Sequence, residues 1–317
     1  MMASALISAL GGGALSALFY LSVLSGSVGA LVLAYLAVLP LFLVGLSLGP
    51  LAGLVAGGVA SALVMVGTED MAAAATHIVS CALPSVLVVR QALLARRTPG
   101  GTVEWYPPGP LVMELTGYGI LGVLGAALLA LDAPGGLKGE VQDFLVGGFE
   151  TLFRAAGPDN GFDPRTMASG IAPVFPAMVV ISWLVMTVVN AALAQGVLMR
   201  FGRNRRPPMS MAHLELPHWA PMALAAAGAV AMVAEGNLGF VVTNLAMILL
   251  VPFFFAGLAV AHAFARGRRG SVAIVLSVYL FMFLFGWPVA LVVGLGVAEH
   301  WMGLRRRFAD AGPRQED

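Results

Sequence analysis

Apolar residues form a succession of long runs along this chain, and the short segments between the runs contain nearly all of its charge. A helix needs about 20 apolar residues to cross the hydrocarbon core of a bilayer. The pattern therefore predicts an all-α fold, a polytopic transmembrane helical bundle with about eight spans and a broken C-terminal stretch. The predicted spans lie at 4–24, 28–48, 50–66, 72–95, 110–131, 170–198, 219–234 and 238–264.

The last apolar run, 271–301, is too long for one ordinary crossing. The segment 286–288, which reads Gly-Trp-Pro, interrupts its middle, and proline removes a backbone donor that a helix needs. The run therefore predicts a broken helix or a hairpin. Arginine placement favours the hairpin, because a hairpin returns the arginines at 305–307 to the cytoplasmic side.

The connections between spans predict how the chain is oriented. Arginines cluster at 96–97, 200–206 and 266–269, in connections that a path starting inside the cell places on one side. Lys and Arg are retained on the cytoplasmic side, whereas the acidic connections, including 132–168, fall on the other side. We therefore expect a multi-pass protein of the bacterial inner (plasma) membrane with a cytoplasmic N-terminus.

The spans follow one another closely, so we expect a single transmembrane domain over 1–303 and a polar tail over 304–317. The longest polar connection, the outer loop 132–168, contains apolar residues at helical spacing. This spacing predicts a helix that lies flat on the outer interface. A short helix packed over the mouth of the bundle explains the same pattern.

Composition supports a membrane protein and argues against several other classes. Charged residues make up 10% of the 317 residues and hydrophobic residues 59%, a balance that leaves too little polar surface for a water-soluble domain. The net charge is +1 and the arginines are grouped in short connections, so no nucleic acid is expected as a partner. Cys81 is the single cysteine, and an intrachain disulfide is therefore excluded.

Glycines recur at every fourth position across the second and third runs. They are Gly45, Gly49, Gly53 and Gly57, and Ser61 continues the series. Residues four apart lie on one helix face, and small residues there allow close backbone packing between helices. We therefore predict that at least part of this series is a helix-packing surface.

Ionisable residues inside predicted spans are the first candidates for function, because an unpaired charge in lipid is expensive. His77 lies within the fourth span, and Glu114 lies near the start of the fifth. Both are candidate solute-binding residues. The alternative is that His77 stays neutral and bonds a helix carbonyl, while Glu114 lies in the headgroup zone.

Amide side chains in the sixth and eighth spans are further candidates. Asn190 and Gln195 lie in the sixth span, and Asn244 lies in the eighth after the segment 236–239, where a polar entrance is expected. We take Asn190 and Asn244 as candidate solute-binding residues. Amides also fasten membrane helices together, at about 0.6–2 kcal/mol for each contact, so both interpretations stay open.

No motif for catalysis, metal or cofactor binding accompanies these residues. His213 and His218 are five apart in a proline-rich linker, without an HExxH or paired CxxC motif, so no metal is expected. A GxSxG elbow is also absent from the sequence. We therefore expect no catalytic residues, no cofactor and no enzymatic activity.

Short segments at both ends of the chain carry a family resemblance. They are 39–41 (Leu-Pro-Leu), 45–50, which reads Gly-Leu-Ser-Leu-Gly-Pro, and 294–296 (Gly-Leu-Gly), which continues to Trp301 and 305–307. With them the chain resembles the YybS-like family of uncharacterised bacterial membrane proteins. The N-terminal half is in turn distantly similar to the substrate-binding components of energy-coupling-factor vitamin transporters.

The second resemblance implies a partner-binding face on the first helix. The transporter components use an Ala-xxx-Ala face to contact a membrane coupling subunit, and Ala5 and Ala9 have that spacing. This chain carries at least two additional C-terminal spans, and no residue that contacts substrate can be transferred from the family. The resemblance therefore implies a fold more than an activity.

These observations favour a transporter-like or solute-binding membrane component, whose partners are the lipid bilayer, a small-molecule solute and a membrane protein. The alternative is a membrane scaffold without transport activity, whose partner surface contains Arg203, Arg205 and Arg206. A membrane enzyme that acts on lipid ranks below both, because no acidic or basic cluster for it stands out on the cytoplasmic side.

Overall fold

The computed structural model of the protein describes residues 2–156, 163–209, 214–266 and 268–310. Helices dominate this part of the chain, which confirms the predicted all-α polytopic bundle. The helices are α1 (Met2–Leu21), α2 (Val28–Tyr35), α3 (Leu39–Leu48), α4 (Pro50–Thr68), α5 (Met71–His77), α6 (Leu83–Ala92), α7 (Pro108–Leu129), α8 (Gly136–Ala156), α9 (Pro164–Ile171), α10 (Phe175–Arg200), α11 (Ala220–Val233), α12 (Gly236–Ala265), α13 (Ser271–Phe285), α14 (Pro288–Met302) and α15 (Leu304–Asp310). Two short antiparallel strands, β1 (Ala95–Arg97) and β2 (Val103–Trp105), form a hairpin between α6 and α7, with Arg96 opposite Glu104.

Seven helical segments of the described chain are long and apolar enough to cross a membrane. They are Ala3–Ser25, Val28–Leu48, Pro50–Thr68, Met71–Ala92, Pro108–Leu129, Pro164–Arg200 and Gly236–Ala265. The predicted span at 219–234 corresponds to α11, one of the shorter apolar helices, which has 14 residues. At 1.5 Å per residue that helix is about 21 Å long, short of the hydrocarbon core of about 30 Å.

Contacts divide the chain into two compact units. The first unit comprises Met1–Leu115 and Trp183–His213, and the second comprises Thr116–Ser182 and Leu214–Asp317. The single transmembrane domain expected over 1–303 stays a prediction.

In the first unit, α4 is the central helix, and α1, α3 and α6 pack against it. Gly49 separates α3 from α4, with φ of 109°, a value that only glycine adopts readily. Pro50 follows at the first helical position, where its missing N–H is not needed. The chain therefore reverses at Gly49, and α3 packs on α4.

In the second unit, α12 packs along α14, and the broken C-terminal run is a hairpin of α13 and α14. Helix α13 ends where Gly286 takes φ of 69°, and Pro288 starts α14. Phe308 of α15 then lies beside Phe264 in the last turn of α12, with ring centroids 5.4 Å apart. Since α13 also leaves from that end of α12, the chain goes out along α13 and returns along α14.

The two predicted polar segments, the loop 132–168 and the tail 304–317, both contain helix. Most of the segment 132–168 is helical, in α8 and the start of α9, and residues 157–162 lie outside the described part. Leu145 of α8 packs on Ala168 and Ala172, while Phe144 of the same helix is exposed. The tail predicted at 304–317 begins with α15, and residues 311–317 lie outside the description.

Candidate functional site

The second span of the first unit is interrupted between Tyr35, where α2 ends, and Leu39, where α3 begins. Pro40 contributes to this break because it has no N–H for a carbonyl one turn earlier. Side chains from other helices bond the carbonyls at the break. Asn190 Nδ2 donates to Tyr35 O at 2.8 Å, and Ser16 Oγ donates to Ala37 O at 2.7 Å.

The fourth span is also interrupted, by a π-helical turn at Ile78–Ala82. The N–H of Leu83 bonds the carbonyl of Ile78, five residues back, and Pro84 has no N–H to offer the carbonyl of Ser80. Trp183 supplies the missing donor, since its Nε1 lies 2.7 Å from Ser80 O. Single π-helical turns within α-helices are found frequently at functional sites.

One face of α10 contacts both breaks. Trp183 and Asn190 are seven residues apart, which is close to two helical turns and places them on the same face. Thr187 lies between them and is fully buried. The same helix face therefore bonds the second span through Asn190 and the fourth span through Trp183.

His77 connects three helices at the start of the π-helical turn. Its ring is fully buried, with Nδ1 2.9 Å from Ser61 Oγ on α4 and Nε2 3.4 Å from Ser16 Oγ on α1. Tyr20 of α1 contacts the imidazole edge to face, with centroids 5.0 Å apart. Ser16 therefore contacts both His77 and the break in the second span. We call the following set the junction cluster: the side chains of Ser16, Ser61, His77, Trp183 and Asn190, with the carbonyl oxygens of Tyr35, Ala37 and Ser80.

The two candidate asparagines differ in how their hydrogen bonds are satisfied. Asn244 Nδ2 donates to Phe240 O and Pro173 O, and its Oδ1 accepts the N–H of Ala177 at 2.8 Å. Asn244 therefore bridges the break between α9 and α10 inside the second unit. It lies within the continuous helix α12, so the expected polar entrance at 236–239 is replaced by the first turn of that helix.

Asn190 donates twice in the same manner, to Tyr35 O and to Met186 O of its own helix. Its Oδ1 is buried and has no donor within hydrogen-bond distance in the described part of the chain. The whole residue is only 2% exposed. Asn190 therefore presents an open acceptor at the break in the second span.

Three of the four candidate solute-binding residues lie in the first unit. His77 and Asn190 both belong to the junction cluster, while Asn244 lies in the second unit. Glu114 is exposed on α7 and accepts a hydrogen bond from the hydroxyl of Tyr106. This position fits the interpretation that places Glu114 at the membrane surface, and a solute-binding role for each of the four stays a prediction.

The contact with Glu114 raises the pKa of Tyr106 from 10.0 to about 12, mainly because the hydrogen bond stabilises the protonated phenol. We expect Glu114→Ala to lower this pKa toward about 10, the value of an isolated tyrosine. Since the folded-state value is the higher one, the bond stabilises the fold below pH 10 and its contribution is lost as pH rises toward 12. Tyrosinate absorbance in a pH titration measures the shift, with Tyr106→Phe as the control; an unchanged titration would contradict the assignment.

The predicted glycine series divides between two helices and the turn between them. Gly45 lies on α3 against Val89, and Gly53 on α4 faces Gly45, while Gly57 faces Ala82. Gly49 is the turn itself, and a Cβ there would lie 2.8 Å from Arg205. Gly53, Gly57 and Ser61 share a buried face of α4.

The predicted partner face on α1 offers little free surface. Ala9 is 2% exposed and Ala5 is half-buried. This pair therefore packs largely within the chain itself, and its contact with a coupling subunit stays a prediction.

Sequence reasoning missed Ser16, Ser61 and Trp183 as parts of the junction cluster. Serine is common in apolar spans. The sequence alone does not distinguish Trp183 from an aromatic residue that faces lipid. The available signal for Trp183 was Pro84, since a proline inside a span leaves the carbonyl four residues earlier without its usual donor.

We expect Trp183→Phe to destabilise the first unit by about 1–2 kcal/mol, because Ser80 O loses its donor. Adding Pro84→Ala should restore most of that loss, because position 84 then has an N–H for the Ser80 carbonyl. Thermal midpoints of the wild type, both single variants and the double variant complete a double-mutant cycle. If Pro84→Ala changes the midpoint equally with and without Trp183, the indole of Trp183 does not replace the missing backbone donor.

Arg206 corrects the partner surface proposed from the sequence. Its side chain is 5% exposed, with Nη1 2.7 Å from Ala92 O at the end of α6 and 3.4 Å from Tyr106 O. The guanidinium also lies over the Trp105 ring, 5.7 Å from its centroid. Burial lowers the pKa of Arg206, although a guanidinium stays charged in proteins. Arg203 and Arg205 remain exposed, so a partner can reach them but not Arg206.

Among the described residues, no group of three or more His, Cys, Asp or Glu side chains is arranged to hold a metal ion. His213 lies outside the described part of the chain. The expectation that no cofactor is needed stays a prediction.

Residues 161–299 match a family described as Predicted membrane protein (DUF2232). The match covers less than half of the chain and supports similarity to an uncharacterised membrane protein family over that segment. No curated protein and no solved structure matched the chain.

The segment similar to DUF2232 contains helices of both units. It includes Trp183 and Asn190 of the junction cluster, together with Asn244. Ser16, Ser61 and His77 lie before it. Together, this similarity and the apolar helices support a multi-pass membrane protein.

Proposed function

We propose that the chain is a solute-binding component of a membrane transporter, without enzymatic activity of its own, and that it holds its solute at the junction cluster. The observation that carries the proposal is the buried Oδ1 of Asn190, an acceptor without a donor at the break in the second span. The amide nitrogen of Asn190 donates to Tyr35 O at the break and to Met186 O of its own helix.

An unsatisfied buried polar atom costs about 1–3 kcal/mol, and lipid offers no water to satisfy it. A solute that donates a hydrogen bond to Asn190 recovers this cost, so the free energy of the empty site favours binding. Broken helices are the usual places where transporters bind solutes, because irregular backbone is tolerated where it lines a binding site. Two such breaks meet the same face of α10 here.

The predicted resemblances support the same proposal. A YybS-like protein with an N-terminal half similar to the substrate-binding components of energy-coupling-factor transporters would need a coupling subunit and an ATPase on other chains. We place the protein in the bacterial inner membrane with its N-terminus in the cytoplasm, as the arginine distribution indicates.

Native mass spectrometry of the full chain, extracted gently from its own membrane, tests the proposal by recording bound small molecules and copurifying subunits. We expect a retained solute in the wild type and its loss in Asn190→Leu. Ser8→Ala is the matched control, because Ser8 is exposed on α1 and bonds Ser4 O of the same helix. A retained solute that is unaffected by Asn190→Leu would place the site elsewhere, and a chain without any solute would count against binding.

The exposure of Arg203 and Arg205 favours a scaffold as the second candidate function. In that case a partner protein recognises these arginines in the linker after α10. We expect Arg203→Glu with Arg205→Glu to abolish recovery of the partner, while Arg206 is left intact because it is buried. Recovery of the partner with the doubly reversed chain would exclude this surface.

A further inference from the structure

Two groups of arginines in the second unit meet at one end of α12. One group follows the last residue of α12, and the other lies in α15. Aromatic rings join them, because the ring centroids of Phe264 and Phe308 are 5.4 Å apart and the guanidinium of Arg268 lies over the Phe264 ring, 3.7 Å from its centroid. We call the following exposed side chains the arginine platform: Arg266, Arg268, Arg269, Arg306 and Arg307.

The arginine platform lies where apolar helices end. Helix α12 is long and apolar enough to cross a membrane, and the platform begins directly after its last residue, Ala265. The apolar helices α13 and α14 start and finish at the same end. Exposed aromatic side chains, Phe264 and Trp301, accompany the arginines, as is usual at the membrane surface. Arginines in this position hold their charge at the depth of the lipid headgroups.

The positive charge of the platform is not neutralised by the protein. Glu299, the buried carboxylate at the end of α14, is engaged by Arg305, whose Nε lies 2.7 Å from its Oε1 and whose N–H donates to its Oε2 at 3.1 Å. Among the described residues, no ion pair involves a platform arginine. If Glu215 and Asp310 are both counted in full, five positive charges against two negative ones leave a net charge of +3.

We propose that the arginine platform binds the headgroups of anionic phospholipids in the leaflet at this end of α12. A guanidinium donates two parallel hydrogen bonds to a phosphate group. Clusters of basic residues directly beside a membrane helix attract anionic lipids, whereas the positive group of a zwitterionic headgroup offsets that attraction. This interaction is independent of the solute site proposed at the junction cluster.

An exposed apolar stripe favours a phospholipid over a soluble phosphate as the occupant. Val272, Leu276 and Leu280 of α13 are each more than half exposed, and their spacing of four places them on one face of the helix. The stripe starts three residues after Arg269. A lipid with its headgroup on the platform has this stripe beside it for its acyl chains, whereas a soluble anion gains nothing from it.

Native mass spectrometry of the full chain in detergent micelles tests the proposal by counting bound lipids during a titration. The probes are dioleoylphosphatidylglycerol, dioleoylphosphatidylcholine and inorganic phosphate. The two lipids share their acyl chains and phosphate but differ in net charge, and inorganic phosphate lacks the chains. We expect the wild type to bind phosphatidylglycerol about tenfold more tightly than phosphatidylcholine, and inorganic phosphate not at all.

Removing charge from the platform should abolish the preference between the two lipids. In the triple variant Arg268→Gln, Arg306→Gln and Arg307→Gln, we expect the affinity for phosphatidylglycerol to fall about tenfold, to that for phosphatidylcholine. The matched control removes the same number of charges from exposed arginines of the first unit, and should keep the preference: Arg90→Gln, Arg97→Gln and Arg200→Gln.

Phe308→Ala tests whether the platform has to be assembled. This variant retains every arginine but removes the ring that contacts Phe264. We expect the affinity for phosphatidylglycerol to fall about threefold, because α15 is then held less firmly against α12. An unchanged affinity would show that the arginines act as separate charges, and would overturn the assembled platform.

Other outcomes would overturn the lipid as the occupant. Equal affinity of the wild type for the two lipids would do so without any variant. A preference that survives the triple substitution, or that the control loses equally, would place the anionic lipid elsewhere on the chain. Binding of inorganic phosphate that depends on the platform, without a lipid preference, would make this a site for a soluble anion. An acidic subunit that copurifies with the wild type and is lost from the triple variant, again without a lipid preference, would make it a protein-binding surface.

Discussion

Replacing Gly257 or Gly296 by alanine is expected to destabilise the second unit by about 3 kcal/mol or more, since each adds a methyl group to a helix crossing that has no room for it. A Cβ at Gly257 would overlap the carbonyl oxygen of Val292, and a Cβ at Gly296 would overlap that of Phe253. Backbone atoms cannot rotate away as the end of a side chain can. The two helices must therefore separate along the crossing.

The contact is reciprocal, which explains the size of the expected effect. Each glycine of the pair, one on α12 and one on α14, faces a carbonyl oxygen of the other helix. Such approaches place Cα–H groups near carbonyl oxygens and gain dispersion energy over the whole contact. Residues such as Phe253 and Val292 are buried at the crossing and lose packing if it opens.

Heating the purified protein in steps and measuring the monodisperse fraction by size-exclusion chromatography tests this prediction. The matched control is Gly294→Ala, because Gly294 is two residues from Gly296 on the same helix but has nothing within 4 Å of its added Cβ. That control should be neutral or slightly stabilising, by about 0.5–1 kcal/mol from the higher helix propensity of alanine. Equal stability of the Gly296→Ala and Gly294→Ala variants would contradict the crossing.

Arg206→Ala is expected to destabilise the first unit by about 2–4 kcal/mol. The substitution leaves carbonyl oxygens without a donor and removes the contact of the guanidinium with the Trp105 ring. Ala92 O is the main carbonyl affected, because it lies at the end of α6 where no helical N–H reaches it. The guanidinium also attaches the linker after α10 to the β1–β2 hairpin. Without it, we expect both segments to loosen.

Labelling of Cys81 by a thiol-reactive dye during heating measures this loss, because Cys81 is the single cysteine and is buried in the first unit. Arg203→Ala is the control, since Arg203 is exposed in the same linker. Arg206→Lys should recover little, because an ammonium lacks the planar fork that contacts two carbonyls and a ring. A midpoint for Arg206→Ala equal to that of Arg203→Ala would show that the buried contacts contribute nothing to stability.

Asn190 and Asn244 show how far the sequence reaches into the candidate site. Both are asparagines inside apolar spans, and hydropathy treats them alike. In the structure, Asn244 has its acceptor filled by Ala177 N–H, whereas Asn190 has an open acceptor. The difference arises because each asparagine contacts a different broken helix. The sequence pattern does not show which helices will be in contact.

The sequence by itself determined the all-α bundle, most of its spans and the break at 286–288, because length in apolar residues and the position of proline are local properties. The tertiary structure alone decided that α10 bonds two broken spans, that His77 lies between two serines, and that Gly257 crosses Gly296. These contacts join residues from 16 to 155 positions apart. Apolar periodicity shows which residues avoid water, but in lipid every span satisfies that condition, so only close packing and hydrogen bonding select the partner of each helix.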